Sequence, residues 1–280
     1  MKFQNQNAVL YQPEGKDALK ALSETTDLCI GAHQDDIEIE AFGVISACLK
    51  SGGKRRFSGV TVTDGAGSPR AGEYADCSDE DMKKIRIKEQ NAAAKIGGYA
   101  AMIQLGYSSS AVKKGGEDIV KEIAGIIEAA SPETLYTHNL ADKHDTHVAV
   151  ALRVLEAVMA LPKEKRPKRV VCLEGWRDLD WLGDSEKAVF DSSDEKLALK
   201  ILGVYKSQIA GGKRYDLASV GRRRANATFF ASHDVDEAES LCFGFDVTDE
   251  LYGGKSPEEI IKGAIERFEK DVISRVSRFS

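Results

Sequence analysis

A chain of 280 residues with 39 Lys+Arg against 45 Asp+Glu, a formal charge of −6, has ample length for a large buried core. Its 42% hydrophobic and 30% charged content, with only 6 prolines, is that of a globular protein and excludes a disordered one. No apolar run reaches the roughly 18 residues of a membrane span and no broad basic stripe supplies phosphate contacts, so a membrane span and a nucleic-acid partner are both set aside.

Residues 1–25 read as an N-terminal extension without the charged-then-apolar pattern of a secretory leader. Five scattered cysteines (Cys29, Cys48, Cys77, Cys172 and Cys242) form no C-x-x-C pair and read as reduced thiols. Together these predict a cytoplasmic protein. From residue 26 short apolar runs alternate with helical patterns. Strands are expected at 28–32 and 57–63, the second rich in β-branched residues and stopped by Asp64-Gly65. A helix fits 38–50, and Ser78 with Asp81 resembles a capping box opening a helix that ends at Gly97-Gly98. A strand at 101–105, a helix marked by Ile119, Ile123, Ile126 and Ile127, a strand at 134–137 and a helix through Val148, Leu152, Leu155 and Met159 follow. Beyond them lie a strand at 169–173, a helix at 194–207 and a terminal amphipathic helix at 255–280. The runs Lys54-Arg55-Arg56 and Arg222-Arg223-Arg224 read as solvated faces. This alternation predicts an α/β fold, Rossmann-like, with a mostly parallel sheet, helices on both faces and an elaborated C-terminal third. Residues 26–280 are expected to be one domain.

Ligands of open α/β sheets bind beyond the carboxyl ends of the strands. Two clusters of metal-competent side chains fall there: His33-Gln34-Asp35-Asp36 after the first strand, and His144-Asp145-Thr146-His147 after the fourth, with His138 nearer the strand end. A catalytic zinc needs three nitrogen or oxygen donors and an open position for water. His33, Asp36 and a histidine of the second cluster provide such a set, and Asp35 is the adjacent carboxylate able to take the water's proton. The alternative is structural: Asp35-Asp36 and His144 to His147 would cap the helices that follow them. His138 and His233 read as structural residues.

These segments resemble the PIG-L/LmbE-like zinc deacetylases. Ala32 to Glu38 (AHQDDIE) is close to that family's A-H-P-D-D-x-E signature, and Asp142 to His147 is similar to its H-P-D-H motif. Thr63-Asp64-Gly65, Arg86 to Glu89 and Ala93 to Gly97 follow its intervening patterns, and Tyr205-Lys206-Ser207-Gln208 and Ala238-Glu239 echo its weaker C-terminal features. The resemblance implies zinc ligands at His33, Asp36 and His147, a general base at Asp35 and an oxyanion or leaving-group role for His144. It implies substrate contacts at Arg86 and, further along, Arg169. Arg86 could equally pair with Glu89 or Glu80 on its own helix. The implied activity is zinc-dependent de-N-acetylation of an N-acetylglucosamine-type sugar or conjugate.

Gln34 stands in place of the motif's proline, and Thr146 where the family often has the aspartate that orients a histidine. Tyr107 to Ser110, with Ser109, replaces a turn whose Asp can hold a sugar hydroxyl. A His/Asp/His set also accepts iron, cobalt or manganese. Two other readings stand beside this one: a metal-dependent amidase on another acyl or thiol conjugate, and a non-catalytic nucleotide- or sugar-binding module. The latter lacks a Gly-rich phosphate loop. The expected partner is a small acetylated amino sugar, with self-association as a homo-oligomer left open. Trp176 and Trp181 are expected to frame the mouth of the pocket, or else to pack in a core or subunit contact.

Overall fold

The computed structural model describes residues 3–230 and 234–280. In chain order the elements are β1 (Val9–Tyr11), α1 (Ala18–Ser23), β2 (Asp27–Gly31), α2 (Asp36–Glu40), α3 (Phe42–Lys50), β3 (Phe57–Thr63), α4 (Asp79–Ile96), β4 (Ala101–Tyr107), α5 (Ser109–Lys114) and α6 (Glu117–Ala130). There follow β5 (Thr134–His138), α7 (Asp145–Ala160), β6 (Arg169–Leu173), β7 (Lys187–Asp191), α8 (Glu195–Leu202), α9 (Lys206–Ala210), α10 (Tyr215–Phe230), β8 (Leu241–Asp246), α11 (Thr248–Tyr252) and α12 (Pro257–Phe279). His233 lies outside the described residues.

The strands form one sheet in the order β1-β4-β3-β2-β5-β6-β8-β7. The five central strands are parallel, and β1, β8 and β7 add antiparallel edges. Residues 1–25 thus contribute an edge strand, Val9 facing Gln104. Parallel neighbours need crossovers, and helices on both faces supply them. The two-residue period of each central strand divides its side chains between two cores. Leu28, Ile30, Leu135, Val170 and Cys172 face the layer holding α6 and α7, while Cys29, Tyr136, Val171 and Leu173 face the layer of α3 and α8. Sheets covered on both faces read as continuous apolar runs, which is why these strands stand out in the sequence. Among the described residues no helix is long and apolar enough to cross a membrane.

Several expectations shift in detail. The helix at 38–50 is two, because the carbonyls of Glu38 and Ile39 accept from Arg223 Nη2 at 2.8 and 2.9 Å. Arg223 is therefore no solvated charge: it is buried, with its guanidinium over the Phe42 ring. The segment 194–207 likewise breaks into α8 and the start of α9. At Ser78 the cap is one-sided: Ser78 Oγ accepts from the Asp81 amide at 3.1 Å and donates to the Asp81 carboxylate. The reciprocal capping box occurs instead at Ser256 and Glu259, opening α12 with Pro257 in its first turn.

Candidate active site

The chain leaves β2 for β3 and β4 on one side, and later places β5 on the other. Its strand order therefore reverses between β2 and β5, where an α/β sheet opens a crevice. The loop after β2 carries His33 to Asp36. The segment after β5 leads to α7, whose first turn carries His147.

Three donor atoms meet in this crevice. His33 Nδ1 lies 3.2 Å from Asp36 Oδ2 and 3.2 Å from His147 Nε2, and His147 Nε2 lies 3.3 Å from Asp36 Oδ2. Donors held about 2.0–2.1 Å from one tetrahedral ion stand about 3.3–3.4 Å apart, so the triangle has the size of one face of such a site. Asp36 Oδ2 also accepts the His33 amide at 2.6 Å, which folds the loop back on itself. Burial works to raise the Asp36 carboxyl, but the His147 and His33 rings outweigh it and hold the group well below the usual carboxylate range. Its second oxygen, Oδ1, is buried without a hydrogen-bond partner. Donors of this kind, clustered and incompletely satisfied, suit a cation.

Asp35 stands beside the triangle in a left-handed conformation (φ 86°), unusual for a residue with a side chain. It occupies the cap position of α2 but makes no side-chain cap bond, so the purely capping explanation fails for it. Burial lifts its carboxyl to about 7 against the pull of Arg86. Arg86 is itself buried, with Nη2 3.2 Å from Asp35 Oδ2, Nη1 donating to Glu89 at 3.0 Å, and a further bond to the Gln34 carbonyl. Arg86 thus pairs with Glu89 on its own helix and also lines the cleft. Gln34 uses its amide to reach Gln104 Oε1 at 3.2 Å.

His144 does cap α7, Nδ1 accepting from the Thr146 amide at 3.2 Å, yet it also lines the cleft. Burial, with His147 and His33 nearby, lowers it to about 4, so it is neutral at pH 7 and carries its proton on Nε2. Behind the triangle, Glu40, His138, Asp142 and His147 form a second, wholly buried group. His138 Nε2 accepts from the Ala32 amide at 2.7 Å, leaving its Nδ1 proton to Glu40 at 2.8 Å, which makes His138 a strut between the loop and α2. Asp142 Oδ2 stands 3.4 Å from His147 Nδ1 and takes the orienting place that Thr146 leaves empty. The cleft above these groups measures about 330 Å³. Its walls are Ser109, Lys113, Trp176, Gln208 and Tyr215, with the Trp176 ring 4.6 Å from that of His147. Trp181 is not there; its indole N–H bonds the Asp178 carbonyl and its ring packs on the core.

Arg169 requires correction as a substrate contact. It opens β6, at the end of the sheet opposite His138 and Leu173, and is paired with Asp246 at 2.5 Å. Sequence reasoning missed Glu40, Asp142, Gln208 and Tyr215. The first carries a signal, an acidic residue four positions after Asp36 and so on the same helical face; Asp142 and Gln208 stand inside quoted motifs that gave them no role, and Tyr215 carries no signal.

Fold and site together define an α/β protein with a His/Asp/His donor cluster at the switch point of its sheet. Residues 28–158 match the PIG-L family, described as GlcNAc-PI de-N-acetylase. Among solved structures, the N,N'-diacetylchitobiose deacetylase of Pyrococcus horikoshii superposes with a TM-score of 0.64 at 18% identity, over 87% of this chain and 91% of that one. GalB, the 4-carboxy-2-hydroxymuconate hydratase of Pseudomonas putida KT2440, gives 0.63 at 17%, over 80% and 96%. A zinc-inhibited form of the teicoplanin deacetylase Orf2 gives 0.55 at 18%, over 79% and 98%. At these identities the likeness is one of fold.

Proposed function

We propose that this protein is a metal-dependent hydrolase that removes acetate from an N-acetylated amino sugar or its conjugate, with residues 26–280 acting as one domain. The observation that carries the reading is the donor triangle of His33, Asp36 and His147 with the Asp35 carboxyl beside it. These three residues would hold the ion. When bound, a divalent metal polarises a carbonyl and brings the pKa of water to about 7. Zinc suits the donor set, as do iron, cobalt and manganese. The match of residues 28–158 to the PIG-L family and the fold shared with N,N'-diacetylchitobiose and teicoplanin deacetylases support the amide as the bond broken.

Asp35 accepts a proton from the attacking water as the new C–O bond forms at the acetyl carbon. Arg86 holds that carboxylate in place. His144 donates from Nε2 to the developing oxyanion; a neutral imidazole is a hydrogen-bond donor here rather than a source of a proton. Asp35 then returns its proton to the nitrogen as the C–N bond breaks, so acetate and a free amine leave. Trp176 and Tyr215 offer aromatic walls to a sugar ring.

The test is metal analysis of the purified protein combined with acetate release from N-acetylglucosamine conjugates, acylated amines and thiol conjugates. One equivalent of divalent metal and acetate from an amino sugar are expected. GalB shares the fold and is a hydratase, so an unsaturated carboxylic acid belongs in the screen. Hydration without acetate release, or protein that neither holds metal nor gains activity from it, would overturn the proposal.

A further inference from the structure

Two neighbouring residues of the C-terminal third converge on Asp35 by separate routes. Tyr205 OH lies 2.6 Å from Glu38 Oε2 and 2.9 Å from Gln90 Oε1. Gln90 donates to Glu38 Oε1 at 2.9 Å, Tyr99 OH donates to the same oxygen at 2.6 Å, and Gln90 Oε1 accepts the Asp35 amide at 3.2 Å. By the second route the Ser207 amide and hydroxyl each donate to Glu89 at 2.7 Å, and Glu89 takes Arg86, which faces the Asp35 carboxylate. One route thus grips the backbone of Asp35 and the other its side chain. All of these groups are buried.

A buried polar network of this extent costs desolvation that apolar packing would avoid, and it connects to the one residue of the loop held at positive φ. We propose that the Tyr205–Ser207 turn is a positioning element for Asp35: it fixes a left-handed backbone that would otherwise relax, and so holds the carboxylate where the attacking water is deprotonated. This rests on the reading of Asp35 as the base. Tyr205 and Ser207 lie beyond the matched PIG-L segment and touch none of the three donor residues through these bonds.

The test uses Tyr205→Phe, which keeps the ring and deletes the hydroxyl, and Ser207→Ala as a second variant, each made alone and with Asp35→Asn in the metal-loaded protein. Amide hydrogen exchange over 33–36 should quicken in both single variants, a readout that needs no substrate. Metal content and KM should hold, while kcat falls by about 10- to 100-fold, the scale of a displacement near 1 Å. In the Asp35→Asn background the same changes should cost nothing further. Unchanged exchange at 33–36, or an equal kcat loss in both backgrounds, overturns the proposal. If Asp35→Asn alone keeps the full rate, the reading of the base fails, and hydrogen exchange still decides whether the turn positions the loop.

Discussion

The adjacent carboxylates Asp35 and Asp36 should respond in opposite ways to the same substitution. Asparagine tolerates a positive φ, so Asp35→Asn leaves the loop at its 86° geometry and the three donors of the triangle intact. Metal should stay at near one equivalent while kcat falls by about a hundred- to ten-thousand-fold, the worth of a general base. With the wild-type carboxyl lifted to about 7, the base is active only when ionised, so kcat/KM should rise with pH through that region. A cation beside it moves the limb lower. One unit below its pKa the group is about one-tenth ionised and the rate about one-tenth of its plateau. In Asp35→Asn that limb should be gone. Asp36→Asn removes a donor that faces both imidazoles at 3.2–3.3 Å, together with the only carboxylate of the three. Loss of a residue that merely orients a ligand weakens metal binding by about 10- to 100-fold, and loss of the ligand itself should exceed that. The assay is metal retained after dialysis against chelator, alongside kcat on one substrate across pH 5–9. If Asp35→Asn loses metal while Asp36→Asn keeps it, the roles are exchanged and the reasoning is refuted.

Metal at a hundredfold over its Kd should add about 2.7 kcal/mol to stability, some 5–10 °C in Tm for a chain of this size, and chelator, His33→Ala or His147→Ala should each abolish the gain in calorimetry. Gly175→Ala places a methyl against the Asp142 and Glu40 carboxylates; displacing Asp142 from His147 should weaken metal binding by about 10- to 100-fold in a competition titration. At the opposite end of the sheet, burial works to raise Asp27, but Arg55 at 2.5 and 3.0 Å outweighs it and depresses the group. Its contribution is present above the ordinary carboxylate pKa and lost as pH falls through the depressed value. Arg55→Gln should therefore cost about 1–2 kcal/mol in urea unfolding at pH 7, and less as pH falls below about 4.

What could be read from the sequence follows the physics of each element. Leu28 to Gly31 and Phe57 to Thr63 are covered on both faces, so their apolar runs announce strands, and strand ends announce His33, Asp36 and His147 as neighbours of a crevice. β7 has no buried position, its residues being half-buried or exposed, while the consecutive Arg222, Arg223 and Arg224 of α10 spread around the helix and blur its face. Neither has a periodicity that reveals it. Arg169 illustrates another limit: the first residue of a parallel strand lies a full strand length from the crevice, and motif position alone does not say which end of β6 a side chain occupies. Asp142 was quoted within the second motif, but its approach to His147 depends on the turn closed by its own bond to the His144 amide, at 2.9 Å. The ties from Tyr205 and Ser207 span 115 to 167 residues of chain, beyond the reach of any local pattern.

The cleft draws its donors from residues 33–147 and much of its wall from Trp176, Gln208 and Tyr215. On the proposed reading, the reaction chemistry and part of the substrate choice are therefore written in different stretches of the chain. A chimaera that keeps residues 28–158 and imports another protein's C-terminal third would exchange that part of the wall and leave the donors, with Ser109 and Lys113, untouched. It would retain a competent loop only if the import carried its own counterparts of Tyr205 and Ser207. Those two positions mark where a swap of specificity becomes a loss of catalysis.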